Sequence, residues 1–438
     1  MLIFTSANFQ IAYCKSYKER IFKMNKNAPK RKSRNRKKSY LLPVLLLLCL
    51  IVLTAALISV LSNKPAKQNS TPTTAPDTGN VSDATADTTT EPTIPQVSFF
   101  GKEYALDITE LTLPESDIAA LEHEAVYSCI CDALNSFTEL ELMDVRAAAL
   151  TLDEMTSLKE NYPSVRFIWN VDLYGTELSS DDTEADISGI VITDIEALKT
   201  RLRLLYSLTY LDMCDCGLTN EQMEELQNEF PQIKFVWKVT LGLWTIRTDT
   251  VAFSTLKDGT ITYRLTNDDC KVLKYCTDMV ALDLGHNKVT DLSFLEFMPE
   301  LKILILVDNW LTDTQSPYLY DLSMLKYCPK LMYLEFFVGD VTDISVFDYL
   351  PNLVDLNISY NPISDVSHLL NFTKLERLYI EHTSLTEQDY ELLKETYPDA
   401  YIVYYGEGSV DQGWREHERY FAMIDMFHNN YVNDLFKD

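Results

Sequence analysis

From Met279 onward the chain repeats itself on a short period. MVALDLGHNKVTDLSFLEFMPE is followed by LKILILVDNWLTDTQ, then LMYLEFFVGDVTDISVFDYLPN, LVDLNISYNPISDVSHLLNFTK and LERLYIEHTSLTEQDYELLKETYPD. The units start at Met279, Leu301, Leu331, Leu353 and Leu375, spaced 22, 30, 22 and 22 residues, so one unit carries an eight-residue insertion centred on Gln315 to Tyr320. A unit this short buries its apolar side only by stacking on its neighbours, which predicts a solenoid.

Within each unit the order is L-x-x-L-x-L-x-x-N. The leucines alternate along a short strand and point inward, while the Asn side chain satisfies backbone groups where the chain turns. Asn287, Asn309 and Asn361 hold that place; Gly339 and Thr383 replace it in the other two units. After the turn, Val289-Thr290-Asp291-Leu292, Val341-Thr342-Asp343-Ile344 and Ile363-Ser364-Asp365-Val366 repeat one order, expected for a short turn under the convex side. Five units in phase resemble the 22-residue repeats of the internalin-like leucine-rich-repeat family of bacterial surface proteins, over about 120 residues from Met279. The resemblance implies a curved parallel solenoid that recognises partners on its concave side.

A longer unit occurs three times. LKENYPSVRFIWNVDLYG, LQNEFPQIKFVWKVTLG and LKETYPDAYIVYYG each place a Leu five residues before Pro163, Pro231 or Pro398, and Trp169, Trp237 or Tyr404 six residues after it. Behind the first two prolines, Val165 to Leu173 and Ile233 to Leu241 alternate apolar and polar, the mark of a strand with one buried face. Before the prolines, LTNEQMEELQNEF and LTEQDYELLKETY have helical spacing. These strand, helix, strand units resemble the ribonuclease-inhibitor style of leucine-rich repeat. Phe99 to Leu113 and Leu173 to Ile192 look like degenerate members. The expected fold is therefore α/β: one irregular solenoid over residues 96–406, with parallel strands on the concave face and helices and turns on the convex face. Residues 407–438, with WREHERYFAMIDMF, are expected to form a helical cap over the exposed end of the core, a partner-binding helix being the other reading.

The residues before the solenoid differ in character. Up to Tyr40 there are 12 Lys and Arg and one acid, a charge of +11, against −27 for the whole chain. Leu41 to Leu61 then runs 21 residues without a charge, long enough as a helix to cross the roughly 30 Å hydrocarbon core. Basic residues directly before such a span stay inside, so the expectation is a basic cytoplasmic tail (1–40), an uncleaved signal anchor forming one transmembrane helix (41–62) and an extracellular remainder. A cleaved signal peptide is the competing reading, though its apolar region normally runs about 7 to 15 residues. Met24 is a second candidate start. Residues 63–95 are nearly all Ser, Thr, Pro, Ala, Asp, Asn and Gly, expected to be a disordered stalk.

Chemistry is hard to find in this chain. The twelve glycines form no phosphate loop, and there is no HExxH, GxSxG or EF-hand pattern. His286 and His382 occupy equivalent repeat positions but stand four units apart, roughly 20 Å at about 5 Å per strand, too far to share a metal. Seven cysteines follow the apolar span, an odd number, and their Cys-x-Cys pairs lack zinc spacing; they are expected to be free and packed as small hydrophobes. The expectation is a non-enzymatic protein without metal or cofactor.

What remains is the strand face that points away from the core. Its residues include Ile303, Ile305, Val307, Tyr333, Glu335, Phe337 and Tyr379, predominantly apolar where water is expected. Contiguous exposed apolar surface commonly marks a binding site. Two outcomes stand open: a protein or other macromolecular ligand docks there, or the insertion Asp313 to Tyr320 or the C-terminal segment folds over the patch. The functional expectation is a membrane-anchored cell-surface recognition protein with a protein partner and no nucleic acid. The alternative is a regulator or inhibitor clamping another cell-envelope protein.

Overall fold

The computed structural model describes residues 96–437 except 114, 258, 260, 310–320 and 407–411. The expected tail, anchor, stalk and insertion lie outside the described residues. Among the described residues no helix is long and apolar enough to cross a membrane.

An antiparallel hairpin, β1 (Gln96–Phe99) and β2 (Lys102–Ala105), opens the fold. Parallel strands follow in three sheets. The first is β3 (Glu110–Thr112), β4 (Leu142–Asp144) and β5 (Arg166–Ile168); helices α1 (His123–Ser136) and α2 (Leu152–Asn161) connect them. After a hairpin of β6 (Asn170–Leu173) and β7 (Thr176–Ser179) come β8 (Glu184–Asp186), α3 (Ile195–Leu202), β9 (Tyr210–Asp212), α4 (Asn220–Glu229) and β10 (Lys234–Val236). A second hairpin, β11 (Lys238–Leu241) and β12 (Trp244–Arg247), leads into seven parallel strands in sequence order. These are β13 (Ala252–Ser254), β14 (Ala281–Asp283), β15 (Ile303–Ile305), β16 (Tyr333–Glu335), β17 (Asp355–Asn357), β18 (Arg377–Tyr379) and β19 (Tyr401–Val403), the last reached through α5 (Glu387–Thr396). A final helix, α6 (Glu418–Asn429), ends the described chain with a short turn over Asp434–Phe436.

The solenoid core is one continuous cluster from Phe99 to Leu393. Inward residues of successive strands, Leu282, Leu304, Leu334, Leu356 and Leu378, pair in register and are fully buried. The asparagines close the turns between them as the repeat predicts. Asn361 accepts from the Gly339 and Val341 amides at 3.1 and 3.0 Å and donates to the Phe336, Ile358 and Ser359 carbonyls. Asn287 and Asn309 make matching sets, Asn309 bridging from Leu306 to Leu284. The acids of the motif that follows act locally. Asp291, Asp343 and Asp365 each accept from the amide two residues on at 2.9 Å, starting the 3-10 turns at Ser293, Ser345 and Ser367. Thr151, Thr219 and Thr386 close capping boxes at the starts of α2, α4 and α5.

The alternating stretches behind Pro163 and Pro231 are not single strands. Each breaks at its tryptophan, giving a short parallel strand before it and one arm of a hairpin after it. At Trp169 the carbonyl accepts from the Ser180 amide at 2.9 Å; at Trp237 it accepts from the Thr248 amide at 2.9 Å. The chain turns a corner there while its inside and outside alternation continues, which is why the period concealed the break. Leu173 to Ile192, expected to be a degenerate repeat, is the second hairpin arm and β8. Pro163 and Pro231 stand 68 residues apart (231 − 163), and so do the starts of β4 and β9, β6 and β11, and β8 and β13.

Candidate functional site

Side chains of β14–β18 that point away from the core are buried all the same. Ile303, Ile305, Val307, Tyr333, Glu335, Phe337 and Tyr379 are each at most 7% exposed, although none belongs to the solenoid core cluster. Over Tyr333, Glu335 and Tyr379 the cover is the chain's own C-terminal segment. Sequence reasoning placed residues 407–438 as a cap over the end of the core; instead the described residues 412–437 run across the outward strand face. That corrects the picture of an open apolar groove at these three residues, where the C-terminal segment lies over the strand face; the insertion lies outside the described residues.

The segment runs back against the strand order. It begins beside β18, where the Tyr379 hydroxyl donates to the Gln412 carbonyl. Gly413 takes the left-handed backbone conformation, φ +84°, and turns Trp414 into the face. Trp414 is wholly buried between Tyr333 and Tyr379, with ring centroids at 5.0 and 4.8 Å. The Arg377 guanidinium lies 4.6 Å above the indole and donates to the Trp414 carbonyl at 3.2 Å. Met423, Met426 and Phe427 of α6 and Phe436 beyond it are buried as well. At the far side, the Asn430 side chain accepts from the Val251 and Ala252 amides at 3.0 and 3.2 Å, and Lys302 donates to the Phe436 carbonyl at 2.8 Å.

Charge fixes the register. Glu335 and Asp355 stand on adjacent strands, both fully buried. Arg415 reaches Glu335 at 3.1 Å, and the Tyr333 hydroxyl donates to the same carboxylate at 2.9 Å. Asp355 receives Arg419 through two bonds of 2.7 and 2.8 Å and Arg377 at 2.7 Å. Burial pushes the Asp355 pKa up, but the hydrogen bonds from the two arginines outweigh it and hold the carboxyl below its ordinary value. Asp283, buried with Ser254 and the Gly285 amide as its side-chain donors among the described residues, is shifted the other way by burial. Burial, with Arg377 and Arg419 close by, pushes the His417 imidazole down; its Nδ1 accepts from the Arg419 amide at the start of α6.

The sequence-predicted residues thus meet in one place, Tyr333, Glu335 and Tyr379 in direct contact with the segment. Trp414, Arg415 and Arg419, which carry its attachment, were not singled out; Asp355, which Arg419 meets, was expected on the outward strand face. Their signal was a Trp-Arg pair with a second Arg four residues on, in a chain otherwise strongly acidic after residue 40. On the earlier sheet the outward face is open in part: Glu184, Asp186 and Lys234 on β8 and β10 are exposed, while Asp212 and Val236 are buried. Among the described residues no group of His, Cys, Asp and Glu is placed to hold a metal ion, and the seven described cysteines are free. His286 pairs with Asp308 at 2.7 Å, and His382 stacks on Tyr360 and contacts the Gly406 carbonyl.

No family model matches the chain. Among solved structures it is similar to internalin C2 from Listeria monocytogenes at 23% identity, covering 30% of this chain and 63% of that one, with a TM-score of 0.25. A second internalin from Listeria monocytogenes is 19% identical over 62% of this chain and 69% of its own, TM-score 0.30. A leucine-rich-repeat protein of Leptospira interrogans is 13% identical over 62% and 92%, TM-score 0.26. The chain spans about 63% of the length of internalin C2. The fold itself is read from the coordinates: its 22-residue period, the parallel sheet that period builds and the asparagines that lock its turns make the chain a leucine-rich-repeat solenoid.

Proposed function

We propose that the chain is a membrane-anchored, extracellular leucine-rich-repeat protein that binds a protein or other macromolecular partner and carries no catalysis of its own. The anchor in this reading is the uncharged run Leu41 to Leu61 behind its basic residues. One observation carries the binding half. The outward strand face holds aromatic rings, aliphatic side chains and two buried carboxylates that the solenoid core does not use, and a peptide segment seats on it. That is the surface chemistry of a recognition site, with apolar anchors and a few placed charges.

The reading is tested by crosslinking on intact cells, with photoreactive residues at exposed positions of β8 and β10 and along the segment, followed by identification of what attaches. Specific adducts to another surface or envelope molecule are expected. Adducts to nothing but the chain itself, at every position, overturn the binding half. Turnover of an envelope substrate by the purified extracellular part overturns the non-enzymatic half.

A further inference from the structure

We propose that the outward face of β14–β18 is a peptide-binding site whose resident occupant is the chain's own segment 412–437. The external segment it selects carries an aromatic residue followed by arginines at the first and fifth positions after it. This rests on the binding reading above and names the chemistry of the partner.

The occupant shows what the face requires. Glu335 and Asp355 lie diagonally on adjacent strands, Asp355 in register with Tyr333 and Glu335 with Asn357, and both are fully buried; Arg377 meets Asp355 from within the sheet, and the oxygens that remain call for a cation from whatever covers them. Arg415 and Arg419 supply those cations, and Trp414 fills the slot between Tyr333 and Tyr379. An acidic or purely apolar segment would leave Glu335 to the Tyr333 hydroxyl and Asp355 to Arg377, each without the cation that the segment now brings. A guanidinium rather than an ammonium fits Asp355, which takes two parallel bonds from one planar group.

The resident segment also fits imperfectly. The Asn357 amide nitrogen and one terminal nitrogen of Arg377 are buried on this face with no hydrogen-bond partner among the described residues. The indole nitrogen of Trp414 is in the same condition. Orphaned buried donors are a standing penalty, so the segment is not the tightest ligand this face accepts. A partner that keeps the aromatic residue and both guanidiniums and sets an acceptor opposite Asn357 displaces it.

The experiment replaces residues 407–411 of the full chain with a protease recognition sequence, so that the segment can be cut free and stay seated. A fluorescent synthetic peptide of residues 412–437 is then offered, and its uptake followed by anisotropy, with circular dichroism reporting the solenoid. Expected is reversible exchange of the labelled peptide for the cut segment while the sheet stays folded. A peptide with both Arg415→Met and Arg419→Met is expected to bind at least about 30-fold more weakly. No exchange from a folded, cut chain would mean a permanent part of the core and overturns the proposal. So does unfolding of the solenoid once the segment leaves, or equal binding of the arginine-free peptide. Exchange is read on the isolated protein, so it stands or falls separately from crosslinking on cells.

Discussion

Arg419 on the last helix grips Asp355 inside the seven-stranded sheet through two parallel hydrogen bonds of 2.7 and 2.8 Å, 64 residues away in sequence. Arg377 completes the site from the neighbouring strand, 2.7 Å from the same carboxylate. The pair is buried, so its value lies less in attraction than in what removing either partner leaves behind.

Arg419→Met is therefore expected to destabilise the protein by about 3 kcal/mol, within the range for breaking a buried pair. Asp355→Asn and the double variant complete a cycle, and coupling above about 1 kcal/mol is expected for groups in direct contact. Urea unfolding followed by tryptophan fluorescence measures all four proteins. Additive effects would show that the two groups do not act as a pair.

The pH dependence has two opposing parts. Asp355 is held below its ordinary value, so its contribution is fully present above the ordinary carboxylate range and is lost as pH falls through the lowered folded value. His417, also held down, acts in the same sense, losing its contribution as the imidazole is forced to protonate. Asp283 is raised by burial and has the opposite sign: its charged form costs stability above the raised value, and that cost is relieved on acidification. Asp283→Asn should therefore raise the urea midpoint near pH 7 and not at pH 3. Asp355→Asn should lower it at pH 7, and by progressively less as acid protonates Asp355 in the native state.

Thiol labelling separates the cysteines by depth. Burial pushes Cys270, Cys276 and Cys328 up to about 12 and Cys216 up to about 11, so almost none is thiolate near pH 8. Cys129 and Cys131 are only partly buried. Mass spectrometry after brief alkylation of the folded protein should find the label on those two, with the buried five modified only in denaturant. Rapid labelling of Cys276 or Cys328 in the native state would contradict the packing described.

The asparagine turns make a further test. Asn361→Ala strips partners from the Gly339 and Val341 amides at once and is expected to cost about 3 kcal/mol. Cys216 holds the corresponding place in an earlier unit, its thiol bonded to the Ile187 carbonyl at 3.2 Å. Cys216→Asn puts the repeat's usual residue there and should be neutral or stabilising in a thermal melt.

Much of this was legible locally. Strand positions followed from the alternation of Leu282, Leu284, Leu304 and Leu306 because a period of two fixes which side faces the core. The turns followed from Asn287, Asn309 and Asn361. The corners at Trp169 and Trp237 were illegible, since the alternation runs straight through them. So was the cover over the strand face: Arg419 and Asp355 share no local pattern, and a helix with one apolar stripe packs equally well on an end or on a face. What the sequence did carry was the anomaly, apolar side chains at Ile303, Ile305 and Phe337 where a bare solenoid would show water-loving ones.

The 68-residue spacing of the two early modules gives the chain an adjustable length. Each module enters on a parallel strand and leaves through a hairpin whose last bond, Ser180 to Trp169 in one and Thr248 to Trp237 in the other, is the same joint. Cutting at one joint and rejoining at the other restores the geometry on both sides of the seam. Such a chain can be lengthened or shortened by whole modules, like sections of a telescoping mast, without disturbing the sheet that holds the C-terminal segment.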